Sequence, residues 1–406
     1  MSISPDRIRA DIEAIARCTA TPGAGADRPT FSPQWRQAVD YVVGQARAAG
    51  CKVRTDAAGN WHVRPEALPW DAPAWLSGSH LDSVPHGGDF DGVAGVVIPL
   101  EILRATAAVT VPLELIIFAE EEGTTFGLGM LGSRAWTGDL SAKELARVRN
   151  AAGESYLEAG AAHGVRESLL LEDRLDPRRY LGLIEAHIEQ GPGMWNAGVG
   201  VAVVGAIAGR RQYRCNITGV ANHAGSTSMR DRRDALVGAA TCILQFEGLA
   251  NGIAGAAVIT VGRIHARPNA INVIPAEAEF TIDFRAPLND VLAEGDEKIR
   301  HLIRQTCERR GLQHSIDMSE SAPAVGMDPR LCARLNRAAE RLGVAAPQAV
   351  SGALHDAAVI APHLPTAMLF IASRDGISHN PREFSRIEDI TLAARIVQAA
   401  IAEDAR

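Results

Sequence analysis

The stretch LELIIFAEEEGTTF, residues 113–126, runs from an apolar block directly into three adjacent carboxylates. Its first part is rich in large apolar side chains, which is typical of a buried strand. Glu120, Glu121 and Glu122 then place three like charges at the carboxyl end of that strand. A solvated surface face rarely follows a strand of this kind, so the acidic run indicates a polar site at the end of a core strand.

Short apolar runs alternate with helical patterns on both sides of this stretch. WLSGSHLD (75–82), LIEAHIEQG (183–191) and MLFIA (368–372) read as strands, and DGVAGVVIPLEILRAT (91–106) reads as a helix. This alternation is the pattern of an α/β domain.

A different pattern interrupts the α/β alternation. From about residue 209 the order is strand, helix, strand, strand, helix, strand, which is typical of a compact α+β sandwich. The third of these elements is predicted over AAVITVGRI (256–264). The α/β pattern returns after about residue 325. We therefore predict a discontinuous catalytic domain, residues 1–208 and 325–406, with an inserted domain over residues 209–324.

Composition excludes several classes of protein. The 406 residues carry a formal charge of −7 and no basic run, which argues against a binder of duplex nucleic acid. No stretch approaches the roughly 20 apolar residues that cross a bilayer, and Ile8, Ile12 and Ile15 indicate an amphipathic N-terminal helix instead of a signal peptide. The six cysteines form no C-x-x-C pair, so we expect no disulfide scaffold and a cytoplasmic location.

Four predicted strands end in side chains that can bind a metal. These are His80 with Asp82, the three glutamates, Glu185 with His187 and Glu189, and, after a short loop, His379. Because ligands bind at the carboxyl ends of strands in open α/β sheets, four such endings indicate one shared site. Imidazole and carboxylate ligands without thiolates suit Zn, Mn, Co or Ni, and the pattern does not choose among them. Two adjacent metals sharing one carboxylate could activate a water for hydrolysis.

The glycine-rich loop HGGDFDG (86–92) contributes Asp89 and Asp91. Taken alone, Asp91 reads as the N-cap of the helix that begins near Gly92. A lone histidine such as His187 would likewise be structural by default. The loop lacks the G-K-[ST] ending of a phosphate-binding loop.

Eight motifs in this chain together resemble one family of enzymes. They are GSHLDSVPHGGDFDGVAGV, EEEGTTFGLGMLGSRAWTG, IEAHIEQGP, NHAGSTSMRDRRDAL, RPNAINVIP, IDFR, SGALHDA and GISHNPREF. The family is the hydantoinase/carbamoylase amidases, which include N-carbamoyl-L-amino-acid hydrolases, allantoate amidohydrolases, and ureidoglycolate or β-ureidopropionate hydrolases. The motifs occur in the expected order from about residue 78 to residue 384.

The resemblance implies both a fold and a metal centre. The fold is α/β, a mixed-sheet catalytic domain like that of the dimetal exopeptidases, with an inserted α+β sandwich that serves as lid and dimerisation domain. The cofactors are two divalent metal ions. By motif, His80 and His187 hold one ion, Glu122 and His379 hold the other, and Asp91 bridges the two.

The resemblance also implies catalytic and substrate-binding roles. Glu121 is the general base, Asp82 fixes the tautomer and orientation of His80, and His223 donates to the oxyanion. The residues implied in substrate binding are Gln190, His223, Asn272, Arg285 and His355. For Arg285 an alternative from the strand pattern EAEFTIDFR (277–285) is a simple solvent-facing position.

The implied reaction cleaves the carbamoyl C–N bond of an N-carbamoyl-L-amino acid and releases ammonia, CO2 and the amino acid. The expected partners are a small ureido acid and a second copy bound through the lid, with no nucleic acid and no membrane. Three alternatives stay open: an allantoate or ureidoglycolate amidohydrolase, an aminoacylase or exopeptidase of the same fold, and a metal-binding protein without activity.

The chain departs from the family pattern at a few positions. Thr125 stands where the family usually has Arg, and Leu354 stands where it usually has Gly. Ser226 and Ser228 are further departures, within HAGSTSM. No implied ligand is lost, so these changes concern the substrate pocket.

Overall fold

A computed structural model describes residues 2–106, 112–253 and 257–405 of the chain. Its strands are β1 Cys51–Thr55, β2 Trp61–Pro65, β3 Ala74–His80, β4 Leu113–Phe118, β5 Tyr180–Ile188, β6 Val201–Ile207, β7 Gly209–Thr218, β8 Asn222–His223, β9 Val258–Thr260, β10 Ile264–Arg267, β11 Val273–Ile274, β12 Glu277–Ala286, β13 Gln313–Ala322, β14 Val325–Gly326, β15 Gln348–Ser351 and β16 Thr366–Ile371.

The helices of the described residues complete the element order. They are α1 Pro5–Ala16, α2 Pro33–Ala48, α3 Val93–Ala105, α4 Leu131–Thr137, α5 Ala142–Leu145, α6 Tyr156–Gly160, α7 Gly193–Asn196, α8 Ala235–Asn251, α9 Asn289–Arg310, α10 Pro329–Arg341, α11 Asp356–Ile360 and α12 Ile387–Ile401.

The chain divides into two compact units. The first unit contains residues Met1–Gly205, Met327–Ala349 and Leu354–Arg406, and the second contains Ala206–Gly326 and Val350–Ala353. The sequence pattern had placed the two boundaries after residues 208 and 324.

The first unit is built on a mixed sheet with the order β1-β2-β4-β3-β5-β16-β6. β3 runs parallel to β4 and β5, and β16 runs parallel to β5. β2 and β6 are antiparallel to their neighbours β4 and β16. The central strands are buried on both faces, as expected for parallel strands covered by helices. The predicted α/β fold with a mixed sheet is thereby confirmed.

Helix α3 lies fully inside the first unit and still carries two charges. Glu101 accepts hydrogen bonds from Arg7 of α1, and Arg104 pairs with Asp11 of α1 at 2.5 Å. Pairing satisfies charges that would otherwise be costly to bury. The ion pairs tie α1 to the helix that directly follows the loop containing Asp91.

The second unit is an α+β sandwich. Its main sheet has the order β10-β12-β7-β13, with β9 also paired to β12, and its hydrophobic core includes residues of α8 and α9. Burial alternates strictly along β12, so Phe280, Ile282 and Phe284 enter this core while Asp283 and Arg285 face the other side. The strand expected over residues 256–264 is two strands, β9 and β10; residue 256 itself lies outside the described residues.

Across the part of the chain that the structure describes, every helix is too short or too polar to span a bilayer.

Candidate metal centre

The candidate metal ligands lie at the carboxyl ends of four neighbouring parallel strands, β4, β3, β5 and β16. His80 is the last residue of β3, and His187 is the last but one of β5. Glu122 and His379 follow β4 and β16 in loops. Because parallel strands end at one edge of the sheet, the topology brings these side chains together.

Asp91 lies between two groups of ligand atoms. Its Oδ1 atom is 3.1 Å from His187 Nε2 and 3.6 Å from His80 Nε2. Its Oδ2 atom is 3.3 Å from His379 Nε2, which in turn lies 3.5 Å from Glu122 Oε2. Each group, His80–Asp91–His187 and Asp91–Glu122–His379, has its ligand atoms within 4.8 Å of one another. One carboxylate therefore faces both groups, with a separate oxygen for each.

The histidine tautomers in the first group fit a cation. Nδ1 of His80 lies 3.0 Å from the backbone oxygen of Asp82, and Nδ1 of His187 lies 3.0 Å from that of Ile188. A carbonyl oxygen only accepts, so each Nδ1 carries the proton and each neutral ring turns its Nε2 lone pair toward Asp91. His187 Nε2 is buried without a hydrogen-bond partner among the described residues. A lone pair facing a carboxylate is favourable only with a proton or a metal cation between them, so this donor set fits a divalent metal ion.

The two groups differ in their exposure to solvent. His80 and His187 are each 1% exposed, whereas the side chain of His379 is 48% exposed. The first group is therefore enclosed, and the second opens to solvent.

A third group of possible ligands lies behind His187 and contains Glu185 and His355. Glu185 accepts hydrogen bonds from Ser79 Oγ at 2.8 Å and from the Ala357 amide at 2.9 Å. The His355 ring lies 4.4 Å from that of His187, centroid to centroid. Both carboxylate oxygens of Glu185 thus hold structural partners, and the contact of this group with His187 is the packing of the His355 ring.

The three consecutive glutamates point to different partners. Glu120 accepts from the amides of Thr125 and Phe126, both at 2.9 Å, and so closes its own turn. Glu121 Oε2 lies 3.8 Å from His80 Nε2, and Glu122 faces His379. Burial raises the pKa of Glu120 and of Glu122 to about 7, and it raises that of Glu121 well above its usual range. Divalent cations would offset this cost of placing like charges together.

Asp82 contacts His80 through its main chain. The hydrogen bond to His80 Nδ1 comes from the Asp82 main chain, while its carboxylate oxygen Oδ1 stays 3.7 Å away. The other carboxylate oxygen, Oδ2, accepts from the Glu122 amide at 3.1 Å. Asp82 thus links the loops after β3 and β4.

Asp91 is not the N-cap of α3, so that reading of the sequence was wrong. The N-cap is Gly92, and no side chain caps this end of the helix. Gly92 has a left-handed φ of 67°, and a Cβ there would come within 2.6 Å of the His80 ring. A glycine at this position frees the Asp91 carboxylate to face the histidines.

Gln190 and His379 have left-handed backbone conformations, with φ of 58° and 54°, and Glu120 shares this feature. Such conformations are uncommon for residues with a side chain and concentrate at functional sites. Gln190 Nε2 donates to Asp91 Oδ2 at 2.8 Å, which places this predicted pocket residue beside the carboxylate.

Two residues at the site had no role in the sequence analysis. Glu383 accepts from the amides of Phe90 and Asp91, and Ser378 Oγ lies within hydrogen-bonding distance of both Asp91 and Glu383. Both lie within the motif GISHNPREF, where His379 was the only residue given a role.

His223, Asn272 and Arg285 lie in the second unit. His223 Nδ1 accepts from the amides of Gly225 at 3.0 Å and Ser226 at 3.2 Å, so the proton of the neutral ring is on Nε2. β8 pairs with β11, which directly follows Asn272, and the Asn272 carbonyl accepts from Ala224. His223 can therefore donate a hydrogen bond from Nε2.

Arg285 is held with its outer end free for a further acceptor. Nε and Nη2 donate to the two oxygens of Asp283 at 2.8 and 3.2 Å, and Nη1 donates to the Gly352 carbonyl at 2.7 Å. Among the described residues these contacts use three of the five N–H groups of the guanidinium and leave one on each terminal nitrogen. That pair matches the two oxygens of a carboxylate.

The model of peptidase family M20/M25/M40 matches residues 76–403. The chain belongs to this family. M20 membership agrees with the position of the candidate ligands, all of which fall inside the matched range.

Relatives within the M20 family point to amide hydrolysis. The N-carbamoyl-L-amino acid amidohydrolase of Geobacillus stearothermophilus is 37% identical over 93% of this chain and 92% of its own. The allantoate amidohydrolase of Escherichia coli is 33% identical over 95% and 94%. A hydantoinase/carbamoylase family amidase from Burkholderia multivorans has a TM-score of 0.93 and 32% identity over 99% and 98%. The resemblance to the hydantoinase/carbamoylase amidases is confirmed, and the chain is a metal-dependent amidohydrolase.

Removal of metal is expected to change how stability depends on pH. Burial and the charge of Asp91 raise the pKa of Glu122 from 4.5 to about 7, and the bond to Asp91 raises that of His379 from 6.5 to about 9. Between pH 4.5 and about 7 for Glu122, and between pH 6.5 and about 9 for His379, the folded metal-free protein binds more protons than the unfolded chain. Its stability should therefore fall as pH rises through these ranges. Bound cations favour the deprotonated side chains, so the metal-loaded protein should not show this fall. Melting temperatures with chelator and with metal, from pH 4.5 to 9, test this; equal slopes would contradict it.

Proposed function

We propose that this chain hydrolyses the carbamoyl C–N bond of an N-carbamoyl-L-amino acid. One water is consumed, and the free amino acid, ammonia and CO2 are released. The observation that carries the proposal is the position of Asp91, whose two oxygens face two separate groups of metal ligands. The carbamoyl-amino-acid amidohydrolases among the relatives support the choice of substrate.

The five converging side chains would hold two divalent ions, Zn, Mn, Co or Ni. His80 and His187 would hold one ion, Glu122 and His379 the other, and Asp91 both. Two bound metal ions would polarise the substrate carbonyl and would lower the pKa of a bound water toward neutral. Glu121 stands beside this centre, with its Oε2 atom 3.8 Å from His80 Nε2, and is given no ligand role.

Glu121 is the proposed general base. It takes a proton from the attacking water and passes it to the departing nitrogen. Its carboxylate is nearly buried, which keeps bulk water from competing for that proton. Asp82 holds the loop of Glu122 through its carboxylate and orients His80 through its carbonyl.

The second unit is proposed to supply the substrate-binding residues. His223 would donate from Nε2 to the negatively charged oxygen that develops when water attacks the carbamoyl carbon. Its tautomer supports this role. Arg285 would hold the substrate carboxylate with its two outward N–H groups, and Asn272 would assist. Gln190 and His355, in the first unit, are proposed to line the pocket.

Thr125 narrows the expected substrate class. Its hydroxyl oxygen accepts from the Thr30 amide at 3.0 Å, so the side chain holds a structural contact. The position carries no positive charge where the family usually has Arg. We therefore expect a substrate with one carboxylate and a neutral side chain.

A substrate panel tests the proposed reaction. Metal-free enzyme is loaded separately with Mn, Zn, Co or Ni and offered N-carbamoyl-L-amino acids, allantoate, ureidoglycolate, β-ureidopropionate and dipeptides. Ammonia release should be fastest with a carbamoyl amino acid. Faster turnover of allantoate or ureidoglycolate would favour the alternative of an allantoate or ureidoglycolate amidohydrolase. The allantoate amidohydrolases of Escherichia coli and Bacillus subtilis are the relatives that support this alternative. Activity on dipeptides alone would favour an exopeptidase.

We also propose a homodimer formed through the second unit. Helix α8 presents Val237 and Leu244 to solvent at 40% and 79% exposure, and these residues, about two turns apart, lie on the same helical face. Val258, on the short strand β9 that packs beside α8, is 53% exposed. An apolar helix face beside an exposed strand is a surface that a second copy can cover.

Leu244→Glu is expected to weaken this dimer by about 30-fold or more, because the substitution places an unpaired carboxylate in the apolar contact that the proposed dimer buries, at a cost of about 2 kcal/mol or more. Sedimentation at several protein concentrations measures the change. Leu171→Glu is the matched control, since Leu171 is 74% exposed but lies in the first unit. A wild-type monomer at working concentration, or an unchanged dimer in Leu244→Glu, would contradict the proposal.

A cytoplasmic location is proposed from the cysteines. All six are free thiols, and four of them are buried. A reducing compartment suits this state.

A further inference from the structure

Glu383 is a buried carboxylate that contacts the loop of Asp91 from a distant part of the chain. It is 5% exposed. Its Oε1 atom accepts from the Phe90 amide at 2.9 Å and from the Asp91 amide at 3.0 Å. The main chain that carries the proposed bridging carboxylate is therefore anchored by a side chain 292 residues away.

The second oxygen of Glu383 reaches the other ligand loop. Oε2 lies 2.8 Å from Ser378 Oγ, and the same hydroxyl lies 3.0 Å from Asp91 Oδ2. Ser378 directly precedes His379 in the chain. The Ser378 hydroxyl has a single proton and lies between the two carboxylates, so it donates to one of them at a time and in this way links the loop of Asp91 to the loop of His379.

The contact around Glu383 is closely packed. A Cβ at Gly88 would lie 2.2 Å from the Glu383 carboxyl carbon, so the glycine leaves that volume to the carboxylate. The Phe384 ring packs edge-on against Phe90 at 5.8 Å. The two segments 87–91 and 378–384 therefore pack against each other, with Glu383 at the centre of the contact.

We propose that Glu383 is a positioning residue that holds Asp91 and His379 in register for the second metal ion. It is not itself a ligand, because both of its oxygens are engaged by Phe90, Asp91 and Ser378. His379 is half exposed, and its left-handed backbone needs support from its surroundings, which the contact of the preceding Ser378 with Glu383 supplies. The inference rests on the proposed dimetal function. It assigns to Glu383 the role of keeping the ligands of the open group, Asp91 and His379, in place.

Metal binding by variants tests the proposal. Wild type, Glu383→Ala and Glu383→Gln are titrated with Mn²⁺ at buffered free concentrations, and bound metal per chain is measured by mass spectrometry. Glu383→Ala should bind the ion of the open group about 10- to 100-fold more weakly, as is typical when a partner of a metal ligand is lost. The ion of the enclosed group should be weakened less, because it shares Asp91 but not His379. Glu383→Gln should recover most of the affinity, because the amide oxygen can still accept from Phe90 and Asp91 while its nitrogen donates to Ser378.

The control is Glu388→Ala, an exposed acid in the first turn of α12, which should bind both ions as wild type does. If Glu383→Ala does not fold, as judged by its melting curve, Ser378→Ala carries the test and should also weaken one ion. Wild-type affinity for both ions in the folded variant overturns this proposal alone. A wild-type chain that binds fewer than two ions overturns the proposed dimetal function together with it.

Discussion

A Glu121→Gln variant is expected to keep both metal ions and to lose at least about 100-fold in kcat, within the 10²- to 10⁴-fold range of general acid–base catalysis. The amide has nearly the same shape as the carboxylate but cannot accept the proton of the attacking water. Glu121 is not needed to complete either group of ligand atoms around Asp91. Metal content by mass spectrometry and ammonia release from a carbamoyl amino acid measure the two parts of the prediction.

Glu120→Gln is the matched control for that experiment. The amides of Thr125 and Phe126 both donate to the same Glu120 oxygen, Oε1, which an amide oxygen can replace. We therefore expect near-normal turnover from this neighbouring substitution. Full activity in Glu121→Gln would show that Glu121 is not the general base. Loss of a metal ion in this variant would identify Glu121 as a ligand.

The position of the site was predictable because it follows from topology. Strands that end in His80, the glutamates and His187 were each recognisable as apolar runs followed by polar residues. Parallel neighbours end at one edge of a sheet, so recognising the strands was enough to bring the side chains together. His379 was recognisable in the same way, as the end of a short loop after the apolar run of β16, although seven residues separate it from Ile371.

Local sequence could not decide the role of Asp91. An acid before a helix is a good N-cap, and only the backbone conformation at Gly92 shows that the cap position is one residue later. The contact between the two oxygens of Asp91 and histidines at the ends of β3 and β5 and in the loop after β16 depends on tertiary structure. Only the three-dimensional structure shows that the two oxygens of Asp91 face different groups of ligands.

Contacts between distant segments were also beyond the sequence pattern. Glu383 reads as one more charge in a loop, and its bonds to Phe90 and Asp91 cross most of the chain. The tautomer of His223 depends on two amides of its own turn, at Gly225 and Ser226, whose geometry no composition rule supplies. The break between β9 and β10 was missed because an apolar run does not show where its pairing with β12 stops.

An Asp91→Ala variant is expected to lose both metal ions and all measurable turnover. Each oxygen of Asp91 faces a different group of ligands, so one substitution removes a ligand from both. The enclosed group would keep only His80 and His187, and the open group only Glu122 and His379. Two ligands are fewer than the three or more that protein side chains usually supply to a zinc ion. Metal per chain should fall from about two ions to near zero in the same buffered titration.

His379→Ala is the companion that separates a bridge from an ordinary ligand. It removes one ligand from the open group and leaves His80, Asp91 and His187 complete. We therefore expect one ion to remain bound, held by the enclosed group, and the other to be lost or weakened by about 100-fold, at the upper end of the effects typical of nearby supporting residues. Equal metal loss in Asp91→Ala and His379→Ala would contradict the bridging role, because a carboxylate shared by two ions must cost more than a histidine that serves one. Retention of one ion by Asp91→Ala would likewise place Asp91 in a single group.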